Sequence, residues 1–385
     1  MGCKKYGPGI ISVEIESSFN TTTELTTTAE CQALTMPALN YEVIENTANR
    51  PNRGSNPPLK GNQSELAFEV TMLLQNTAAS GSTVEKLRMM GGISADYNNL
   101  PYMNTVCPAI TGQIVRIDRD GKFVEILNGC IISTITQNWA TTDKCTEVFA
   151  GTASRKTVYG QLLSPMNLTG KVVDDEVDIN FMHQGHWEQS RPDGLSINIH
   201  NAERQFLAAG FFTSAGKFKL ASVSDDSTIT DFVGTNILYT TYQTTQETIS
   251  GIVGPATWEF QFNHNGTDLN IDPSIFTLTY ETGLKYGNLT VNGGGVPTQI
   301  DYGSPKVTGT FTAYLDQEAD KLQMIEDFST MIKLKHGGND VLTLNHCHID
   351  TKPAYDYNQA EASSGDFSVS ATDDDMFECE MVVFH

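Results

Sequence analysis

Residues Phe123 to Thr136 form a long run rich in β-branched and apolar residues, with Asn128-Gly129 inside it. A run of this kind reads as one arm of a sheet and leaves little room for a helical alternative. Ile110 to Ile117 is its natural hairpin partner. The turn Asp118-Arg119-Asp120-Gly121 joins the two, with Gly121 able to take positive φ. Asn128-Gly129 predicts a bulge or bend inside the longer arm. The same β character continues elsewhere. Leu66 to Leu74 reads as a strand, Val173, Val177, Ile179 and Phe181 fall at odd positions, and Trp258, Phe260 and Phe262 alternate. Further strands are expected at Ser196 to His200, Phe218 to Val223, Ile237 to Gln243, Ser274 to Tyr280, Tyr286 to Val291, Lys306 to Leu315, Val341 to Ile349 and Met376 to Phe384. Ala202 to Phe211 reads equally as a helical turn or a strand.

Helix signals are few. Ser82-Thr83-Val84-Glu85 is a capping box, with a stop at Gly91-Gly92. Gln317 to Ile332 places Leu322, Ile325, Phe328 and Ile332 at steps of three and four, which predicts a helix. Arg50-Pro51-Asn52-Arg53-Gly54-Ser55-Asn56-Pro57-Pro58 is a loop. With Lys60 its two arginines make a small basic island, a candidate contact loop.

The chain carries 46 acidic and 24 basic residues, a formal charge of -22. That balance argues against wrapping nucleic acid, which needs Lys and Arg to displace counterions. It suits a repelling surface, a cation-binding surface, or a channel through which DNA slides without sticking. The seven cysteines, Cys3, Cys31, Cys107, Cys130, Cys145, Cys347 and Cys379, include no CxxC pair, so free thiols in a reducing compartment are expected. No apolar signal-peptide core follows Met1, and no window is apolar enough for a membrane helix.

Leu127-Asn128-Gly129-Cys130-Ile131-Ile132-Ser133-Thr134 matches Leu344-Asn345-His346-Cys347-His348-Ile349-Asp350-Thr351 at five of eight positions. A strand and a helix precede each segment, and a glycine-led acidic strand follows each, Gly170 to Phe181 and Gly365 to Phe384. The order predicts a duplicated β domain with a packed helix. The expected division is 1–182, with an N-terminal arm and loop, 183–255 as a connector or inserted subdomain, and 256–385.

Chemistry is sparse. On a strand His346 and His348 share a face and Cys347 points away, so two imidazoles face a possible metal, with His183 and His186 the nearest-spaced further histidines. Ordinary packing explains them more simply, and no metal, cofactor or catalytic residue is assigned. GxSxG, P-loop, dinucleotide and HExxH patterns are missing. Two acidic clusters stand at comparable places in the two copies: Asp174-Asp175-Glu176 and Asp373-Asp374-Asp375. Each reads as an acidic turn, or as a repeated acidic surface around a ring.

The paired units, Gly309-Thr310-Phe311-Thr312-Ala313-Tyr314 leading toward Leu322 to Phe328, Val341-Leu342-Thr343-Leu344 and the final strand together resemble the major tail tube proteins of long-tailed, siphovirus-type bacteriophages. The resemblance implies a mainly β fold of two related β-sandwich or barrel-like domains, each with a flanking helix. It implies a non-enzymatic virion protein whose copies form stacked rings, three two-domain chains to a ring, around an acidic lumen that conducts DNA during ejection. Tape-measure, terminator and baseplate hub proteins are the implied partners, and the phage tail, assembled in host cytoplasm, is the implied location. Asp174, Asp175, Glu176, Asp373, Asp374 and Asp375 would be lumen candidates, and Arg50, Arg53 and Lys60 inter-ring candidates. The rival readings are another virion component (baseplate, sheath-like or capsid decoration) and a carbohydrate-binding β-sandwich with Trp139, Trp187 and Trp258 along a groove.

Overall fold

The computed structural model describes residues 10–384 apart from 18, 21–26, 39, 45–58, 64, 77, 94–109, 118–123, 163–165, 179–180, 186–195, 202–204, 213–216, 235, 239–244, 288–298, 315–320, 354–363 and 372–381. The fold is mainly β.

The first half of the chain supplies β1 (Ile10–Ile15), β2 (Thr27–Glu30), β3 (Ala33–Thr35), β4 (Tyr41–Ile44), β5 (Leu59–Gln63), β6 (Leu66–Leu73), α1 (Thr83–Met90), β7 (Gly112–Ile117), β8 (Val124–Ala140), β9 (Thr146–Ala153) and β10 (Arg155–Leu162). A middle region follows with β11 (Met166–Asn167), β12 (Glu176–Val177), β13 (Phe181–Gly185), β14 (Ser196–His200), β15 (Phe206–Phe212), β16 (Phe218–Val223), β17 (Val233–Gly234), β18 (Asn236–Leu238) and β19 (Thr245–Gln246). The second half supplies β20 (Trp258–His264), β21 (Thr267–Leu269), β22 (Pro273–Glu281), β23 (Leu284–Tyr286), β24 (Ile300–Tyr302), β25 (Lys306–Tyr314), β26 (Thr330–His336), β27 (Asn339–Thr351), β28 (Ser364–Ala371) and β29 (Val382–Phe384).

One sheet system, antiparallel except where β2 meets β19, organises both halves, and β8 is its spine. The N-terminal part of β8 pairs with β7 on one side and β10 on the other, and its C-terminal part pairs with β22 and β9. Asn128-Gly129 is the hinge between these parts. Gly129 takes φ +61°, and the register slips by one residue between Gly112↔Cys130 and Ile114↔Leu127. The predicted bulge is therefore present, and the predicted hairpin with it; its turn lies outside the described residues. A Cβ on Gly129 would stand 2.5 Å from Asn20 Oδ1 and 2.9 Å from the Tyr286 hydroxyl, so packing as well as φ selects glycine there.

α1 forms where the capping box placed it. Ser82 Oγ accepts from the Glu85 amide at 3.2 Å, and the Gly91 and Gly92 amides close the helix by donating to Arg88 O and Met89 O, each at 2.9 Å. Val84, Leu87 and Met90 lie in the main core. A second core joins Val115 and Ile126, on the back of β7 and β8, to Val177, Ile199, Leu207, Phe218 and Leu220. These belong to a five-stranded sheet ordered β12-β16-β15-β14-β18, so Ala202 to Phe211 resolves toward a strand, β15.

Two expectations fail. Gln317 to Ile332 is not one helix: Lys321 and Leu322 are helical, a turn follows, and Thr330 to His336 is β26. Leu322, Ile325 and Ile332 are buried as the spacing required, but Phe328 is half exposed. Thr330, Ile332 and Leu334 also alternate inward, and this second periodicity prevails because β20 and β27 flank it. Val172 to Phe181 is likewise not one strand. Val172 and Val173 are exposed, Asp174 sits at φ 72°, and among the described residues of this stretch only Glu176–Val177 is a strand before Phe181. β9 went unrecognised because its buried face reads Glu147, Phe149, Gly151 and Ala153, a pattern with no simple apolar alternation.

Candidate assembly interface

The residues singled out for chemistry do not converge. His346 lies at φ 48°, which breaks the strand alternation expected to align it with His348. His348 Nδ1 instead meets Asp350 Oδ1 at 3.0 Å, and its ring packs on Phe328 at 5.0 Å between centroids. His183 lies on β13, whose partner is β10, and His186 is outside the described residues. Among the described residues no group of three potential metal ligands occurs, and no helix is long and apolar enough to cross a membrane. Cys130, Cys145 and Cys347 are buried free thiols, and Cys31 is buried as well. Desolvation pushes the Cys347 thiol up to about 12.

Asp174 and Asp175 form the turn that leads into β12. Asp174 pairs with Lys219 at 2.8 Å, and Asp175 Oδ2 accepts from the Val172 amide at 3.1 Å. Glu176 is exposed on β12, at the edge of the five-stranded sheet. Asp373, Asp374 and Asp375 lie outside the described residues, as do Arg50 and Arg53; Lys60 is on β5, opposite Val43 of β4. Trp139 is fully buried, and Trp258 packs edge-on against it at 5.9 Å while donating Nε1–H to Ala140 O at 3.0 Å. Two of the three tryptophans thus seal the core, and Trp187 is outside the described residues.

What the structure does bring together is a seam between the two halves. β8 and β22 pair from Thr134↔Glu281 to Ala140↔Ile275. At its ends Thr282 N donates to Ser133 O at 2.9 Å and Thr141 N to Ser274 O at 3.2 Å. The Thr282 hydroxyl donates to Ile132 O at 2.8 Å, and the Tyr286 hydroxyl donates to Gly129 O. Burial pushes the Tyr286 phenol up. On the other side of the same bulge, Glu16 accepts from the Gly129 amide at 2.8 Å, the Thr111 hydroxyl at 2.7 Å and the Asn20 amide at 3.0 Å. Desolvation raises the Glu16 carboxyl, and those donors partly offset it. Farther along, Arg88 of α1 makes a two-pronged bond to Glu147, at 3.0 and 2.9 Å, and its guanidinium lies 5.1 Å from the centroid of Phe384 in the second half. Gln137 donates to Glu147 at 3.1 Å, which leaves the buried carboxylate well partnered.

Either side of this seam the strand registers recur. Gly112↔Cys130 and Ile114↔Leu127 in β7–β8 have counterparts Thr330↔Cys347 and Ile332↔Leu344 in β26–β27, with the one-residue slip at the same place. His346, at φ 48°, occupies the position of Gly129. A second slip falls between Ile132 and Thr134 against β9, and between Ile349 and Thr351 against β28. Leu66↔Ala153 corresponds to Val307↔Ala371, Leu34↔Val70 to Phe276↔Phe311, and β1–β7 to β20–β26.

No family model matches the chain, and no curated protein matches it. Among solved structures, the sheath-tube complex of an extracellular contractile injection system, in its extended state, is 10% identical and aligns over 41% of this chain and 94% of its own, with a TM-score of 0.27. The cap that terminates the anti-feeding prophage tube is 9% identical over 39% of this chain and 87% of its own, with a TM-score of 0.26. The sheath/tube terminator of an extracellular contractile injection system is 13% identical over 38% of this chain and 91% of its own, with a TM-score of 0.25. Likeness at these scores decides nothing about fold or function.

Proposed function

We propose that this chain is a structural, non-enzymatic tail-tube protein, built from two related β domains, whose copies form rings that stack into a hollow tube. The observation that carries the reading is the recurrence of strand register and bulge positions on either side of the β8–β22 seam. Two copies of one unit joined edge to edge within a chain give the pattern from which a ring of such units is extended. Three chains of two units each, as in the two-domain tube proteins it resembles, make the ring. The charge of -22 fits a conduit that DNA passes without sticking. Asp174, Asp175 and Glu176, with Asp373, Asp374 and Asp375, are proposed to contribute to that acidic lining. Arg50, Arg53 and Lys60 are proposed to reach the next ring, and tape-measure, terminator and hub proteins to complete the tail.

Electron microscopy of the purified protein tests this reading. Hollow tubes or rings of uniform width are the expected result, and compact monomers at every salt and protein concentration overturn it.

A further inference from the structure

β29 is a reduced counterpart of β10. Lys156↔Leu127 and Val158↔Glu125 in the β8–β10 pair correspond to Val382↔Leu344 and Phe384↔Leu342 in the β27–β29 pair. β10 has eight residues and lies between β8 and β13. β29 has three, and among the described residues its ladder runs to β27 alone. Three residues along one edge are too few to hold a strand by backbone bonds.

What holds β29 is Phe384, which is 6% exposed and sits where both halves meet. Its ring stands edge-on to Tyr280 of β22, at 6.2 Å and 66°, and its backbone lies opposite Leu342 of β27. Those partners belong to the second half. The third belongs to the first: the Arg88 guanidinium of α1, 5.1 Å from the ring centroid. Arg88 is itself buried and is aimed by its two bonds to Glu147, at 3.0 and 2.9 Å. A cation placed over an aromatic face attracts it most strongly when both are out of water, as here.

We propose that β29 is a latch between the two halves, which opens and closes on β27 as a unit and closes only when α1 presents Arg88 to Phe384. Short elements held by one anchor open at a lower free energy than the whole chain, so β29 is the part of the second half that leaves first. Its closure reports that the first half is folded and docked. The coupling is reciprocal: whatever loosens Arg88 loosens β29, and whatever removes the Phe384 ring loosens α1. The latch does not depend on the tube reading.

The test is hydrogen–deuterium exchange of the full chain, read by mass spectrometry peptide by peptide. Phe384→Leu keeps an apolar side chain and removes the aromatic face. Arg88→Met combined with Glu147→Gln removes the cation without stranding a buried carboxylate. Each change is expected to speed exchange in residues 382–385 by about 2- to 30-fold, the range that a lost cation–π contact spans. Peptides from β20 and β26 are expected to keep their wild-type rates. All three substitutions together are expected to give little more than either change alone, because both break one contact. If the Arg88 and Glu147 pair of changes fails to fold, Phe384→Leu alone decides, since reciprocity requires it to speed exchange in Thr83–Met90 as well. Exchange in 382–385 that ignores the change at Arg88, or in Thr83–Met90 that ignores the change at Phe384, overturns the latch. Equal acceleration of every peptide also overturns it, because β29 would then open only with the whole chain.

Discussion

Where the first half packs Ile11, Val13, Leu34 and Val70, the second places Phe260, Phe262, Phe276 and Phe311 at the corresponding register positions. Phe311 stacks on Phe367 at 5.1 Å between centroids, and Phe367 answers to Phe149. The first half, by contrast, buries charge. Arg88–Glu147 and Lys86–Glu14 lie between α1 and the strands, and Glu147 has Gly365 as its counterpart in the second half. One backbone frame therefore tolerates two kinds of interior. Register comes from backbone hydrogen bonds and from which face is apolar, while the filling needs only adequate volume and partnered polar groups.

The sharpest way to break the comparison is to damage each interior in its own currency. Arg88→Ala leaves the Glu147 carboxylate buried without its cation, at a cost of about 3–5 kcal/mol. Phe311→Ala opens a cavity in the aromatic cluster at a similar cost of about 3–5 kcal/mol. Urea denaturation followed by fluorescence and by circular dichroism is expected to show one transition shifted in both variants, because β8–β22 joins the halves. Two separated transitions would show that the seam does not couple them.

The paired bulges give the next contrast. Gly129→Ala puts a Cβ into the Asn20, Ser154 and Tyr286 side chains in a left-handed backbone. Strain of about 1–2 kcal/mol and overpacking of about 1–3 kcal/mol add there. His346→Ala keeps a side chain where one already sits at positive φ, so its urea midpoint is expected to move by less than about 1 kcal/mol. Equal losses at the two positions would mean that the bulges are not equivalent. His346→Gly is expected to raise stability by up to about 1 kcal/mol by relieving the left-handed strain.

The smallest effect is pH dependence at Glu16. Its carboxyl is raised by desolvation, so the folded protein holds that proton more tightly than the unfolded chain does. The stabilisation is full below the unfolded-state pKa and is lost as pH rises through the folded one. Wild type is thus expected to lose stability relative to Glu16→Gln as pH rises from the ordinary glutamate range toward neutrality. A difference that is flat with pH would place the Glu16 carboxyl at its ordinary value.

Much of the strand inventory was legible because the local signals agreed. Asn128-Gly129 announced its bulge, Ser82 and Glu85 their helix start, and Leu127 to Thr134 its echo at Leu344 to Thr351. The misreadings came where one segment carries two signals. The residues around Ile332 satisfy both a helical and an alternating spacing, and only the presence of β20 and β27 on either side decides for the strand. β9 hid because Glu147 faces inward, which is stable only with Gln137 of the neighbouring β8 and the distant Arg88 of α1 at hand.

The seam was not legible at all, since nothing in β8 or β22 marks the other as its neighbour. The sequence by itself determined that this chain is strand-rich, acidic and internally echoed, because propensity, charge and repeat are local properties. Tertiary structure alone decided which strand lies beside which, because backbone hydrogen bonds between strands join residues far apart in the chain and carry no mark in either one.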